Sequence, residues 1–136
     1  MYSFDFSLRV RYKDVDQMGY VYYGNYAYYY EQARAECIRH LGVSYREIEA
    51  AGILMPITRM NIKYIAPAHY DELLTIKTII PEKPGRLIRF LYEVFNPEEK
   101  KINEGETILT FIRKADNKLV SAPETLQQKL SPFFTP

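Results

Sequence analysis

Tryptophan is missing from the chain and cysteine occurs once, as Cys37. A lone thiol cannot close an internal disulfide, so the core must hold the fold, which fits a reducing compartment. No sign of charge dominates either: 18 Lys and Arg stand against 17 Asp and Glu, a net +1. That near-cancellation argues against a nucleic-acid binder, whose phosphate contacts call for a strongly basic face. It also gives no support to an electrostatic membrane anchor. No run approaches the roughly 18 apolar residues of a membrane span. The opening "MYSFDFSLRVRYKD" is charged throughout, unlike a signal peptide. The expected setting is the cytoplasm.

What is present is apolar and aromatic. Apolar residues make up 47% of the 136, enough for a proper core, and residues 1–136 are expected to form one domain. Of the 13 tyrosines, seven fall between Tyr20 and Tyr30. Each buries a ring while keeping a polar tip, so the cluster suits a pocket wall or a subunit interface as well as ordinary packing.

Periodicity divides the chain. Phe4, Phe6, Leu8, Val10 and Tyr12 alternate with Asp5, Ser7, Arg9 and Arg11, the period of a half-buried strand. "KDVDQMG" breaks that pattern and reads as a turn. From Gly24 the spacing becomes helical: Tyr26, Tyr30, Ala33, Cys37 and Leu41 form one face of a helix of about 18 residues. Glu31 with Arg34, and Glu36 with His40, are spaced to pair along it. Gly42 is a natural stop, and Ser44 a cap for a second short helix ending at Gly52. "TRMNIKYIA", "ELLTIKTII", "GRLIRFLYEVF" and "ETILTFIRK" read as strands, separated by turn signals. "APETLQQKL" reads as a short final helix with Pro123 near its first turn. Strand, long helix, then four strands on short loops predict an α+β architecture: a five-stranded antiparallel sheet curved around a long central helix.

Several chemistries can be set aside. Asp14, Asp16 and Gly19 match the first, third and sixth positions of a calcium-binding loop, but Met18 and Asn25 fail at the fifth and twelfth. "GVSYR" lacks the second glycine of a nucleophile elbow. His40 and His69 have no Cys or His at metal-ligand spacing, and no phosphate-cradling "GxxxxGK" or "GxGxxG" occurs. No metal and no cofactor are implied. His69 lies in a loop and Cys37 on the apolar stripe, both ordinary structural places. Carboxylate chemistry remains. Unpaired N–H groups at a helix start can stabilise a developing oxyanion. A nearby aspartate can attack an acyl carbon or activate water. An Asp-x-Asp ahead of a helix also serves as a plain turn or cap.

"RYKDVDQMGYVYYGNYAYYYEQAR" resembles the signature of hot-dog-fold acyl-CoA thioesterases of the 4-hydroxybenzoyl-CoA thioesterase family, through Asp16, Gly19, Val21, Asn25, Tyr26, Glu31, Ala33 and Arg34. "PITRMNIKYIAPAHYDELLTIKT" resembles the next strand pair, with Pro56, Tyr64 and Pro67. The similarity covers roughly residues 5–115 in the predicted order of elements. It implies a hot-dog fold and hydrolysis of an acyl-CoA thioester to free acid and CoA. It implies a homodimer, often paired into a homotetramer, with active sites at the subunit interface. Asp16 matches the catalytic aspartate and Asp14 a more variable position. Tyr23 falls where a helix-start N–H polarises the thioester carbonyl. Many relatives carry histidine there, so an imidazole relay is excluded here and a phenol is a poor base at neutral pH. Glu31 could orient water or simply pair with Arg34. Asn25, Tyr26, Arg59 and Lys63 are the candidate substrate-binding residues. Asn25 could instead cap the helix or hold Asp16. Arg59 and Lys63, with Arg86, Arg89, Arg113 and Lys114, could meet CoA phosphates. The tyrosines could line an acyl slot. The rival readings are a non-catalytic acyl-CoA binder and a fold-mate hydratase, for which neither histidine is well placed.

Overall fold

A computed structural model describes residues 1–134. The first strand, β1 (Tyr2–Arg9), alternates as the sequence predicts but stops short of Tyr12, which is exposed in a 3₁₀ turn (Tyr12–Asp14) leading to the long helix α1 (Asn25–His40). A short helix α2 (Tyr45–Ala50) follows, then strands β2 (Ile53–Leu54), β3 (Ile57–Tyr64), β4 (Leu73–Ile80), β5 (Leu87–Phe95), β6 (Lys101–Arg113) and β7 (Lys118–Val120), and a last helix α3 (Glu124–Leu130). Ser44 caps α2, its hydroxyl accepting the Glu47 N–H at 3.1 Å. Gly42 and Gly52 adopt φ of +95° and +87°, where the chain leaves α1 and α2 and a side chain would be strained.

The five long strands are the predicted ones, ordered β1-β4-β5-β6-β3 and antiparallel throughout. The two short strands were not anticipated. Both pair with the far end of the 13-residue β6, where Arg113 faces Ile53 on one side and Lys118 on the other. Two- and three-residue strands carry too few alternations to stand out in sequence.

The period of two sorts each strand into faces. Leu74, Ile76 and Ile80 of β4, Ile88, Phe90, Tyr92 and Val94 of β5, and Leu109 and Phe111 of β6 point inward and are buried. The predicted stripe of α1 meets them: Tyr26, Tyr30, Ala33 and Cys37 are buried, joined by Tyr29 and Ile38. The Tyr30 ring stacks on Tyr92 with centroids 4.2 Å apart and planes 2° from parallel. Gly105 makes this possible, because a Cβ there would overlap the Tyr30 ring. The Tyr30 hydroxyl bonds to Asn103 Oδ1, and Tyr92 OH to Thr107 Oγ1 at 2.6 Å, so both buried phenols have partners.

Two predicted ion pairs along α1 are replaced. Arg34 turns inward instead of meeting Glu31. Its Nε donates to Tyr45 OH at 2.9 Å and its Nη1 reaches Tyr92 OH at 3.4 Å. Glu36 pairs with Arg39 rather than His40, whose Nδ1 lies 2.7 Å from Tyr2 OH beside the stacked Phe4 ring. In both cases aromatic surface from another element competed with the helix neighbour, and spacing along one helix cannot register that.

Cys37 is fully buried, and loss of hydration pushes its thiol up to about 12. The reactive thiolate is then scarce at neutral pH. A thiol reagent is expected to leave the native protein unmodified and to titrate one group per chain after denaturation. Rapid native labelling would contradict the burial.

Candidate active site

The segment between β1 and α1 is a small hairpin. Val15 bridges Val21, Tyr20 bridges His69, and the Asp16 N–H donates to Tyr20 O at 2.8 Å. The tip turns on Asp16 O accepting the Gly19 N–H at 3.0 Å, with Gly19 at φ +78°, a conformation only glycine adopts cheaply. Asp16 Oδ1 accepts the N–H groups of Met18 at 2.9 Å and Tyr20 at 3.3 Å. That locks the half-buried carboxylate in place with one oxygen. Its Oδ2 has no donor among the described residues.

The two carboxylates of "DVD" therefore have opposite environments. Asp14 is buried, with Oδ2 accepting the Arg11 N–H at 2.8 Å and the Tyr29 hydroxyl at 3.0 Å. Tyr29 is buried as well. Desolvation, then the bond to Asp14, drives its pKa far above the ordinary phenol value, so it stays a donor. Asp14 thus anchors the loop to the helix. Tyr29→Phe should remove one of its donors and destabilise the protein by about 1.5 kcal/mol. A lowered urea midpoint with unchanged slope would register this. An unchanged midpoint would show that the Arg11 amide alone satisfies Asp14.

At the helix start, Gly24 occupies the cap position and offers no side chain. Asn25 is already the first helical residue. Its Nδ2 donates to Asp14 main-chain O at 2.8 Å, so it neither caps α1 nor touches Asp16. The Tyr22 N–H also donates to Asp14 O at 2.9 Å, which ties the helix start to the hairpin. The N–H groups of Tyr23 and Gly24 donate to no acceptor among the described residues. They belong to the electropositive end of the helix.

Asp16, Tyr23 and Tyr26 come together in one cleft of about 410 Å³, walled also by Met18, Tyr64 and Ile65. Tyr64 projects from the inner face of β3 opposite Asn103, and its hydroxyl donates to Tyr23 O at 3.0 Å. Its ring meets Tyr26 and Tyr23 edge-on, at 5.7 and 6.5 Å. Burial, then Tyr64 and Glu72, pushes the Tyr26 phenol up to about 12, so it remains an O–H donor at neutral pH. Sequence reasoning noted Tyr64 as a strand residue but missed it as a cleft wall. Its place on the inward face of the strand was the available signal.

The other candidates lie elsewhere. Glu31 is exposed two turns along α1 and lines a separate recess with Arg34, Tyr45 and Met55. Arg59 and Lys63 lie opposite Ile108 and Glu104, on the outer face of β3, away from the Tyr64 ring. Lys63 Nζ is 4.0 Å from Glu104. Arg89 is paired with Glu82 and Glu106, and Arg113 with Asp116. Among the described residues no helix is long and apolar enough to cross a membrane.

A carboxylate held by one oxygen lines the same aromatic cleft as Tyr23, just ahead of the helix, and these are groups from which an acyl-transfer site can be built. The profile of the thioesterase-like superfamily matches residues 10–130. The chain belongs to that superfamily. The acyl-CoA thioester hydrolase YbgC of Escherichia coli is 31% identical over 123 residues, covering 90% of this chain and 92% of that one. The putative acyl-CoA thioesterase YneP of Bacillus subtilis is 38% identical over 90 residues, 66% of this chain and 65% of its own. The crystal structure of a DHNA-CoA thioesterase from Staphylococcus aureus superposes with a TM-score of 0.92 at 29% identity, covering 98% of this chain and 91% of that one. The fold is the hot-dog fold that the resemblance implied, and the protein is a thioester hydrolase of the superfamily. The matched span contains the whole Asp14–Tyr26 hairpin and helix start.

Proposed function

We propose that the protein hydrolyses an acyl-CoA thioester to the free acid and CoA in the Asp16–Tyr23 cleft. The observation that carries this reading is the carboxylate with one oxygen fixed by Met18 and Tyr20 and the other unbonded, in the same cleft as Tyr23 and Tyr26, which flank the helix start. The thioester carbonyl oxygen would accept from the Tyr23 N–H group, which the helix end makes a better donor to developing negative charge. Asp16 Oδ2 then acts on the carbonyl carbon. As a general base it takes a proton from water while the hydroxyl adds. As a nucleophile it forms an acyl anhydride that water opens. Both routes expel the CoA thiolate, which takes up a proton, and both consume one water per thioester. Tyr26, whose phenol stays neutral, lines the same cleft. Asn25 supports the site by fixing the loop main chain.

The same reading makes the working unit a homodimer, with pairing into a homotetramer open to it. β3 is an edge strand, and Ile57, Met60, Tyr64 and the adjoining Ile65 are exposed along it. Unpaired strand edges with apolar side chains are rarely left to solvent. A second copy along β3 would lie beside the Tyr64 wall and bring its own residues to the open side of the cleft. Glu31, Arg59 and Lys63 could reach substrate in that setting. The test is a panel of acyl-CoA substrates followed with a thiol reagent, alongside sedimentation of the same protein. Turnover of at least one substrate by a dimer or tetramer is expected. Absence of thiol release across aromatic, short and long acyl groups would remove the catalytic reading. A monomer with full activity would remove the shared site.

A further inference from the structure

A second cleft lies on the other side of the hairpin, between the free edge of β1 and the outer flank of α1. It encloses about 280 Å³, and Arg9, Arg11, Lys13, Asp14, Tyr28 and Gln32 are among its lining residues. We propose that it binds a phosphate-bearing anion.

Three cationic residues within five positions line the recess, the Arg9 guanidinium being turned to Asp71 on the β4 side of β1. Their anionic partners are few. Arg9 donates to Asp71 main-chain O at 2.6 Å, and its ion pair with the Asp71 carboxylate is long, at 3.7 Å. Lys13 Nζ is 3.9 Å from Asp14 and 5.8 Å from the centre of the Tyr28 ring. Arg11 has no carboxylate at ion-pair distance among the described residues, and only its main-chain N–H is used, by Asp14. Asp14 is the one acid lining the cleft, and its Oδ2 is already taken by Arg11 N–H and Tyr29 OH. Arg9 and Lys13 each have a carboxylate at ion-pair range, at 3.7 and 3.9 Å, which leaves Arg11 as the net positive charge to meet a phosphoryl group. The planar guanidinium of Arg11 suits two phosphate oxygens at once. Tyr28 and Gln32, also in the lining, carry neutral polar groups. The volume lies below the roughly 300–1,000 Å³ of pockets that hold whole drug-sized ligands, so a phosphoryl end group fits and the rest of the ligand stays outside.

Such a group can come from two sources: the nucleotide end of a CoA molecule, or free phosphate. Lys13 stands three residues before Asp16, so this cleft and the proposed active site flank one short segment. Binding here does not require that the Asp16 cleft be catalytic.

Calorimetric titration of inorganic phosphate, adenosine 3′,5′-bisphosphate, CoA and pantetheine into the wild type and an Arg11→Ala/Lys13→Ala variant tests the site. Both side chains are exposed and make no internal hydrogen bond among the described residues, so the variant should fold, as a thermal melt would verify. Phosphate-bearing probes should bind the wild type and lose about tenfold or more in the variant, while pantetheine shows no difference. Loss for CoA and the bisphosphate, with a raised KM for acyl-CoA and unchanged kcat, assigns the site to the substrate's nucleotide end. Loss for inorganic phosphate with unchanged KM assigns it to free phosphate. Equal affinity of wild type and variant for every phosphate-bearing probe overturns the proposal. The titrations need no turnover, so an absence of thioesterase activity would leave their outcome readable.

Discussion

Asp16→Asn is expected to lower kcat by about 10²- to 10⁴-fold while leaving the fold intact. The substitution separates the carboxylate's hold on the turn from the catalytic part that the proposed mechanism gives it. Asparagine keeps a carbonyl oxygen where Asp16 Oδ1 now accepts the Met18 and Tyr20 N–H groups, and it is at home at the head of such a turn. What it loses is the charge and basicity of the second oxygen, the one with no donor among the described residues. The thermal midpoint should therefore shift by no more than the equivalent of about 0.5 kcal/mol. KM should change less than kcat, because the proposed mechanism has the aromatic walls, not this carboxylate, hold the acyl group. Steady-state assays with the best acyl-CoA of the panel, paired with a melt, measure both. Turnover at the wild-type rate would remove Asp16 from the mechanism. A collapsed melt would instead make the residue structural.

Gly105→Val should destabilise the protein by about 3 kcal/mol. The reason is steric and local to one close approach. Gly105 lies on the inward face of β6 between Tyr92 and Ile62 on the neighbouring strands, and Tyr30 of α1 lies over it. A branched side chain there would push the Tyr30 ring off its stack with Tyr92 and its hydroxyl off Asn103. Asn103 already has a buried Nδ2 without a partner, so losing the Tyr30 hydroxyl would leave a second unpaired buried atom on the same side chain. A fall of about 10 °C in Tm is the expected reading for a domain of this size. In a Tyr30→Ala background the same valine should cost much less, because the two residues contact each other. Equal cost in both backgrounds would place the strain elsewhere.

The two predictions draw on different levels of organisation. That α1 would present Tyr26, Tyr30, Ala33 and Cys37 on one buried face was legible from spacing alone, since helical period is a local property. The five long strands were legible for the same reason. Asp16 and Tyr23 were singled out by their resemblance to a known signature, and they line one cleft. The role of Asp14 was not legible. Two aspartates two residues apart look alike until the Tyr29 hydroxyl and the Arg11 amide close on one of them. Arg34 was misassigned to Glu31 because its partners, Tyr45 and Tyr92, come from α2 and β5.

By itself, the sequence determined the strand–helix–strand order, the inward face of each long element and the reactive groups available to a site. Those follow from periodicity and from which reactive groups the chain contains. Only the tertiary structure decided which acid is buried and which is open to the cleft. It also decided that Tyr64 walls the site, that Arg59 and Lys63 face away from it, and that Arg9, Arg11 and Lys13 line a recess of their own. Each of those depends on what a distant segment brings within a few ångströms. A residue's own neighbours in the chain carry no record of that.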